Sequence, residues 1–236
     1  HLSCVGNGYC VNPHGPSVLN RNIVTFTTGL RHTCAIADDS TAWCWGENDF
    51  GQLGVGDNDD RNAPTQVLLP AGTTPISINA GGHTTCVILD NGTGLCWGKS
   101  DYGHLGDGTY NNRNEPTPIS ILPSNRSLVA MDLGAGHACG ILDDGTAHCW
   151  GNGTYSSGES GGRLGDGSNE SSRFPRSVSL PSGRNAISID VGVDHTCAIL
   201  DDSSAVCWGL NEEGQLGDGT TSNLSLIHIS EPTRQR

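Results

Sequence analysis

The chain has 236 residues, a formal net charge of −13 and a single lysine, Lys99. An acidic surface of this kind repels phosphate backbones and anionic lipid, so we expect no nucleic-acid partner. No apolar run approaches the roughly 20 residues that a membrane helix needs, so we expect no membrane span. The low share of charged residues, 16%, argues against a disordered chain.

Residues 1–22 form an N-terminal segment that does not share the pattern of the rest of the chain. Cys4 and Cys10 flank an Asn-Gly turn signal and could close a small disulfide loop. They could instead belong to the end of a cysteine-rich module similar to an epidermal-growth-factor domain. Pro13, Gly15 and Pro16 then indicate a linker.

Residues 23–223 contain four copies of one pattern, in which two cysteines lie ten residues apart and the second precedes Trp-Gly. The first cysteines of successive copies lie 52, 53 and 58 residues apart. A period of about 50 residues with β-type content is typical of propellers. The cysteine pairs are Cys34/Cys44, Cys86/Cys96, Cys139/Cys149 and Cys197/Cys207.

Each cysteine pair encloses a predicted β-hairpin. In the third copy Asp143-Asp144-Gly145 is a turn signal, and glycine suits the left-handed position of such a loop. Ser40 and Ser203 occupy that position in the first and fourth copies, where we expect a strained turn. A hairpin centred on Asp144 pairs Cys139 with Cys149, so the two sulfurs lie opposite each other. This arrangement favours a disulfide over buried free thiols or a metal site. Such bonds persist in oxidising compartments.

Further strands surround each hairpin. A segment of alternating apolar residues precedes it, and a glycine-rich run, a polar loop and a short apolar stretch follow it. The apolar residues expected to face inward are Val24/Phe26, Ile76/Ile78, Val129/Met131/Leu133 and Ile187/Ile189/Val191. About four strands per repeat make one propeller blade, so we predict an all-β fold. The predicted repeats lie at about 23–75, 76–127, 128–185 and 186–223.

The third copy carries an insertion after its Trp-Gly pair. Trp150 and Leu164 lie 14 positions apart, against 8 for the equivalent residues of the other copies. Insertions in repeat proteins often collect on a binding face, which makes Tyr155 and Glu159 candidate binding residues. A tolerated difference in loop length explains the insertion equally well.

Residues 224–236 begin with Leu-Ser-Leu-Ile-His-Ile-Ser-Glu-Pro-Thr-Arg, which resembles a translated sequencing adapter. We interpret this segment as an artefact and expect it to contribute nothing to the fold. The repeat pattern stops at Asn223, so we interpret the chain as a propeller fragment.

The recurring motifs Gly-x-x-His-x-Cys-x-x-x-Asp-Asp-Gly, Cys-Trp-Gly and Gly-Gln-Leu-Gly-Asp-Gly resemble the repeat of the regulator of chromosome condensation family. The match covers residues 23–223 and recurs four times in phase. This resemblance implies a seven-bladed ring, of which about four four-stranded blades are present. The paired cysteines are similar to those of a secreted, bacterial-style branch of the family.

Histidines and tryptophans recur at fixed positions of the repeat. His32, His137 and His195 lie two residues before the first cysteine, and Thr84 takes that place in the second copy. These histidines could ring a channel and bind metal, but we favour a structural role in holding blades together. The tryptophans after the second cysteines mark further structural positions: Trp45, Trp97, Trp150 and Trp208. We find no phosphate loop and no nucleophile motif, and expect no metal, cofactor or catalytic residue.

These features predict a non-catalytic binding module that is extracellular, on the cell surface or periplasmic, with rim loops contacting a protein or glycan. A guanine-nucleotide exchange factor for a small GTPase is the alternative by family analogy, and a secreted enzyme inhibitor is another. Four disulfides argue against the exchange factor, because they would not survive cytosolic thiols. An ultraviolet photoreceptor is disfavoured, since Leu30 stands where that branch has a tryptophan.

Overall fold

The computed structural model describes residues 3–5, 9–11, 21–120, 122–123, 126–154 and 162–230, with residues 3–5, 9–11 and 226–230 described by their backbone only. Every regular element in these ranges is a β-strand, which confirms the all-β prediction. The strands form one two-stranded sheet and four four-stranded sheets. No helix within the described ranges is long and apolar enough to cross a membrane.

Each four-stranded sheet is one blade, and its antiparallel strands follow one another along the chain. Blade 1 contains β3 (Ile23–Thr28), β4 (His32–Ala37), β5 (Ala42–Gly46) and β6 (Arg61–Gln66). Blade 2 contains β7 (Pro75–Gly81), β8 (Thr84–Leu89), β9 (Gly94–Gly98) and β10 (Arg113–Pro118). Blade 3 contains β11 (Leu128–Leu133), β12 (His137–Leu142), β13 (Ala147–Gly151) and β14 (Ser172–Ser177). Blade 4 contains β15 (Ala186–Val191), β16 (His195–Leu200), β17 (Ala205–Gly209) and β18 (Leu224–Ser230).

The N-terminal sheet pairs β1 (Ser3–Val5) with β2 (Tyr9–Val11). Its register places Cys4 opposite Cys10. The side chains of these strands lie outside the described part of the chain, so the Cys4–Cys10 disulfide stays a prediction.

The blades are arranged around a common centre, toward which each presents its first strand. The first strands of neighbouring blades contact one another, β3 with β7, β7 with β11 and β11 with β15. Outer strands such as β6 and β10 lie away from these contacts. The family resemblance predicts seven blades for the whole ring, and that number stays a prediction.

The hairpins have the predicted register and the predicted disulfides. Each first cysteine lies opposite its partner on the next strand, and the four bonds join Cys34–Cys44, Cys86–Cys96, Cys139–Cys149 and Cys197–Cys207. The turns also match the expectation. Ser40 and Ser203 have φ angles of 65° and 69°, whereas Gly92 and Gly145 take the equivalent places in blades 2 and 3.

The expected burial of the first strand is wrong at one position in every blade, and in blade 1 also at Phe26, which is 71% exposed. Val24, Ile76, Val129 and Ile187 were expected to face inward, but they are 68%, 57%, 57% and 62% exposed. Each is the extra residue of a β-bulge, at which two steps along the first strand match one step along the second. The bulge changes the phase of the alternation, because the extra residue puts the buried residues on either side of it, such as Leu128 and Met131, three positions apart instead of two.

The hydrophobic core lies between blades, in three separate clusters. The cluster between blades 1 and 2 joins Cys34, Ile36 and Leu53 to Ile78 and Trp97. Equivalent clusters lie between blades 2 and 3 and between blades 3 and 4. At each of these three interfaces, the earlier blade therefore contributes its disulfide and the later blade its tryptophan.

Residues 224–230, which we expected to contribute nothing to the fold, form β18. This strand pairs with β17, with Gly209 opposite Leu224 and Ala205 opposite Ser230. The segment has a β-prone alternation, and it pairs with the edge of β17 that β16 leaves open. The adapter interpretation concerns the origin of these residues and stays a prediction.

Candidate functional site

A polar cleft of about 300 Å³ opens at one rim, where blades 2, 3 and 4 meet. Loops that follow the first and third strands of these blades supply its walls. Blade 2 contributes His83, Lys99, Tyr102 and His104; blade 3 contributes Ala135, Gly136, Asn152, Thr154 and Arg163; and blade 4 contributes Asp194.

The charged groups around this polar cleft are compensated by close partners. Arg163 is 5% exposed, and its Nη2 lies 2.7 Å from Asp194 Oδ1 of the next blade. Its Nη1 donates to the Thr154 carbonyl at 2.6 Å. Lys99 Nζ lies 3.0 Å from Asp101 Oδ2. The cleft thus offers both hydrogen-bond donors and acceptors without a large net charge.

His104 and Tyr102 form the aromatic part of the polar cleft. The two rings meet edge to face with centroids 5.7 Å apart, and Tyr102 is 49% exposed while His104 is 6% exposed. Burial lowers the pKa of His104 to about 4, so its imidazole is neutral near pH 7. A Cβ at Gly136 would lie 3.5 Å from His104 Nε2, so the absence of a side chain at 136 leaves this ring nitrogen uncovered.

An apolar hollow of about 370 Å³ lies over the ends of the first strands at the same rim. Leu30 and Val193, which are 66% and 65% exposed, stand at its edges, and Ala135 belongs to both the hollow and the polar cleft. The rim therefore combines polar and apolar surface, as protein-binding surfaces do.

The repeated histidines do not meet one another; two of them join neighbouring blades. His32 Nε2 lies 2.8 Å from Thr85 Oγ1, and His137 Nε2 lies 2.9 Å from Thr196 Oγ1. Because the Thr85 hydroxyl donates to the Gln52 carbonyl, the His32 nitrogen must be the donor in the first pair. Burial lowers the pKa of His32 to about 4 and that of His137 to about 3.

Three of the four repeated tryptophans also join neighbouring blades. Trp97, Trp150 and Trp208 are fully buried, and their Nε1 atoms donate to backbone carbonyls of the preceding blade at 2.8–2.9 Å. Trp45 of blade 1 is only half-buried. His195 of blade 4 is likewise half-buried. Both residues belong to blades that have one neighbouring blade within the described part of the chain.

The candidate binding residues Tyr155 and Glu159 lie outside the described residues. The insertion nevertheless begins at the polar cleft, because Asn152 and Thr154 line it. Sequence reasoning missed Lys99, His104 and Arg163. The sequence contained one signal for these residues, which is variation among the repeats. His104 and Arg163 occupy the position that holds glutamine in blades 1 and 4.

Among the described residues, no three His, Cys, Asp or Glu side chains form a group that could hold a metal ion. The hydroxyl groups on the described lining of the polar cleft are those of Tyr102 and Thr154. Its chemistry is that of recognition by hydrogen bonds and an aromatic face.

Four-stranded blades around a common centre, with their cores between blades, define a β-propeller repeat protein. A family model described as the regulator of chromosome condensation (RCC1) repeat matches residues 39–88, 91–141 and 144–199. A second model with the same description matches residues 23–52, 128–156 and 186–215. The chain belongs to the RCC1 repeat family.

Among curated relatives, the chain is similar to the E3 ubiquitin-protein ligase HERC2 of Homo sapiens, with 31% identity over 204 residues. It is also 29% identical over 200 residues to the ultraviolet-B receptor UVR8 of Arabidopsis thaliana. These matches cover 86% and 84% of the chain. They span 4% of the ligase and 44% of the receptor.

Solved structures share the fold. Human WBSCR16 superposes with a TM-score of 0.80 at 21% identity, over 93% of this chain and 56% of that one. Yeast RCC1 (Prp20), in a complex with Kap60, superposes with a TM-score of 0.74 at 23% identity, over 90% of this chain and 50% of that one. The chain therefore spans about half the length of these propellers.

Proposed function

We propose that this chain is a non-catalytic binding module of an oxidising compartment, outside the cell or in the periplasm, and that the rim with the polar cleft contacts its partner. The observation that carries the proposal is the set of four hairpin disulfides. Each joins adjacent strands within one blade, and the same bond recurs in every blade. Bonds of this kind persist where thiols are not kept reduced.

The rim supports a protein or glycan partner. Its polar cleft has compensated charges, neutral His104 and half-exposed Tyr102, and an apolar hollow lies beside it. Aromatic side chains with a polar tip are enriched where proteins bind proteins. One solved relative, yeast RCC1 (Prp20), binds proteins: it is seen in a complex with Kap60 and is described with its binding properties to Gsp1p and histones.

The exchange-factor alternative rests on family analogy, and the enzyme-inhibitor alternative is a special case of a binding module. The net charge of −13 disfavours histone-bound DNA as a partner of this chain, since phosphate would be repelled. Nothing in the polar cleft favours either alternative over a general protein or glycan partner.

The compartment is tested on protein taken from its natural source. Free thiols are blocked with an alkylating reagent in denaturant, the protein is then reduced, and its peptides are analysed by mass spectrometry. We expect the four pairs to be unmodified before reduction. Alkylated Cys86 or Cys139 in freshly isolated protein would contradict the proposal of an oxidising compartment.

The binding rim is tested by screening the full chain against a panel of extracellular proteins and a glycan array. A Lys99→Gln/Tyr102→Ala variant should lose at least tenfold in affinity for any ligand found. The control is Arg126→Gln, because Arg126 pairs with Asp143 and Asp144 at the hairpin turn of blade 3, on the opposite rim. Equal loss by both variants, or by neither, would contradict binding at the polar cleft.

A further inference from the structure

At the rim, the residue just before the second strand of one blade lies against the loop after the third strand of the preceding blade. In blade 2 this residue is His83, whose Nδ1 lies 2.8 Å from Glu47 Oε2 of blade 1. In blade 4 it is Asp194, whose Oδ1 lies 2.7 Å from Arg163 Nη2 of blade 3. At both interfaces a single side chain therefore bridges the two loops with an ion pair.

The interface between blades 2 and 3 has glycine at this position, Gly136. A Cβ there would lie 3.5 Å from His104 Nε2 of blade 2 and 3.4 Å from Asn152 Cβ of blade 3, which are ordinary contact distances. The space over Gly136 therefore has room for a side chain that residue 136 does not supply. We call this space the Gly136 gap; it forms part of the polar cleft.

Two side-chain nitrogens border the Gly136 gap without donating to any described residue. Asn152 Oδ1 accepts from the Thr154 amide and hydroxyl, which fixes the orientation of the side chain and leaves its Nδ2 3.8 Å from the Cβ position of residue 136. His104 is 6% exposed, and its Nδ1 is buried without a partner. This favours the tautomer with the proton on Nε2, where a ligand at the gap would accept it.

The charges around the Gly136 gap match an acid. Lys99 stands at the repeat position of Glu47, so the sign of this loop is reversed relative to the loop that pairs with His83. His104 stands at the repeat position of Arg163, which pairs with a carboxylate at the next interface. Both comparisons indicate that the group complementary to this loop is a carboxylate.

Lys99 remains able to bind such a group. Its Nζ lies 3.0 Å from Asp101 Oδ2, but this pair is partly exposed, and exposed ion pairs contribute little free energy. An ammonium group has three donors, so one carboxylate does not saturate it.

We propose that the Gly136 gap binds the carboxylate of an acidic side chain, aspartate or glutamate, of the partner protein. Its oxygens would accept from Asn152 Nδ2 and His104 Nε2, and Lys99 would supply the positive charge. A protein side chain is the expected occupant, because one side chain fills the equivalent space at both other interfaces. This assignment rests on the proposed function, since it names the group that the partner presents to the polar cleft.

The first experiment needs no known partner. N-acetylglutamate amide, whose side-chain carboxylate is its only ionised group, is titrated into the full chain, and the NMR signals of the His104 ring and the Asn152 side-chain amide are followed. Both signals should shift saturably. N-acetylglutamine amide has the same shape without the charge and should bind about tenfold more weakly or worse.

Methyl glucuronide, which carries a carboxylate on a sugar, tests the other source of this group. We expect it to bind more weakly than the glutamate probe. Tighter binding of methyl glucuronide, equal binding of the two amides, or a glutamate probe that shifts neither signal would each overturn the proposal.

Two variants test the match between the Gly136 gap and a carboxylate from within the chain. Gly136→Asp places a carboxylate in the gap, and Gly136→Asn is its uncharged control; residue 136 is not among the glycines with positive φ, so neither is strained. The pKa of His104 should be higher with aspartate than with asparagine by about 1 pH unit, since a nearby carboxylate favours the protonated imidazole. Asp101 and Lys99, whose charges also act on His104, are the same in both variants. The same His104 pKa in both would overturn the match.

A partner found by screening distinguishes this assignment from the proposed function. Gly136→Asp should weaken its binding by about tenfold or more, because the gap is then filled by a like charge. A partner that is lost with Lys99→Gln/Tyr102→Ala but binds Gly136→Asp like the unchanged chain would leave the rim as the binding surface and overturn the carboxylate site. A partner that neither variant affects would contradict the proposed function, and the probe titration would still decide whether the Gly136 gap binds a carboxylate.

Discussion

The imidazole of His32 in blade 1 donates a hydrogen bond of 2.8 Å to the hydroxyl of Thr85 in blade 2. The same pair recurs between His137 and Thr196, from blade 3 to blade 4. At the interface between blades 2 and 3, both members are replaced together, by Thr84 and Ala138. The histidine and the threonine therefore act as a unit that stabilises the stacking of two blades.

Loss of the threonine hydroxyl should destabilise the chain, because it leaves a buried imidazole donor without its partner. We expect Thr85→Ala to lower the free energy of unfolding by about 1–3 kcal/mol. Denaturant titration measures the change, and Thr117→Ala is the control, since the Thr117 hydroxyl donates to the exposed Glu115 carbonyl of its own strand, β10. Equal effects of the two substitutions would contradict a role for the inter-blade pair.

Acid should weaken the fold through the buried histidines. His137 has its pKa lowered from 6.5 to about 3, so between these pH values the unfolded chain binds the additional proton. Stability is therefore full above pH 6.5 and falls as the pH decreases, by about 1.4 kcal/mol per pH unit near pH 5 for one histidine. His137→Gln should remove that slope, as measured by unfolding at several pH values. Thr196→Val should lower stability at every pH and leave the slope unchanged; an unchanged slope in His137→Gln would contradict the assignment.

The four disulfides should differ in how fast they are reduced. Cys34, Cys86 and Cys139 are 0% exposed, whereas Cys197 is half-buried on the outer face of blade 4. Limited dithiothreitol followed by alkylation should label Cys197 and Cys207 first, because thiol exchange requires access to a sulfur. Quantitative peptide mass spectrometry measures the order. Earlier labelling of Cys86 and Cys96 would show that exposure does not control reduction.

Replacing serine by glycine at one hairpin turn and glycine by serine at another should change the free energy of unfolding in opposite directions. Ser203 has a φ of 69°, a conformation that glycine adopts without strain. Ser203→Gly should raise the free energy of unfolding by about 0.5 kcal/mol, since the greater entropy of unfolded glycine offsets part of the gain. Gly145→Ser should lower it, because the new Cβ would lie 2.5 Å from Asn185 Cβ. Thermal unfolding of both variants checks the signs, and the same sign for both would contradict the explanation.

Deletion of residues 224–236 tests whether the C-terminal segment contributes to the stability of the fold. β18 pairs with β17 along its length, so its removal should expose an edge and lower the melting temperature. A loss of 1 kcal/mol corresponds to about 2–4 °C for a chain of this size. An unchanged melting temperature would show that β18 contributes nothing to the stability of blade 4.

Much of the fold could be predicted from the sequence, because the hairpins are local. Cys139 and Cys149 lie ten residues apart around one turn, and the turn chemistry sets which residues face each other. Four copies of the pattern make the same prediction independently. The bulges at Val129 and its equivalents could not be predicted, since two-residue alternation in a single strand carries no sign of an extra residue opposite its partner.

Most residues of the candidate site could not be predicted from the sequence. Lys99, Arg163 and Asp194 come from three repeats and are far apart in the chain, and only the stacking of blades brings them to one cleft. The repeat that makes the fold predictable also hides the site, because the site residues are those that differ among copies.

The sequence by itself determined the β-propeller repeat, the four disulfide pairs and the strained serine turns, since each depends on residues within one hairpin. Only the tertiary structure decided which face each first strand buries, where the polar cleft opens, and that Trp45 is half-buried whereas its three equivalents are fully buried. These features depend on packing between blades. An apolar residue on the face of a blade is buried only where a neighbouring blade packs against it, and the local sequence pattern does not indicate whether such a neighbour is present.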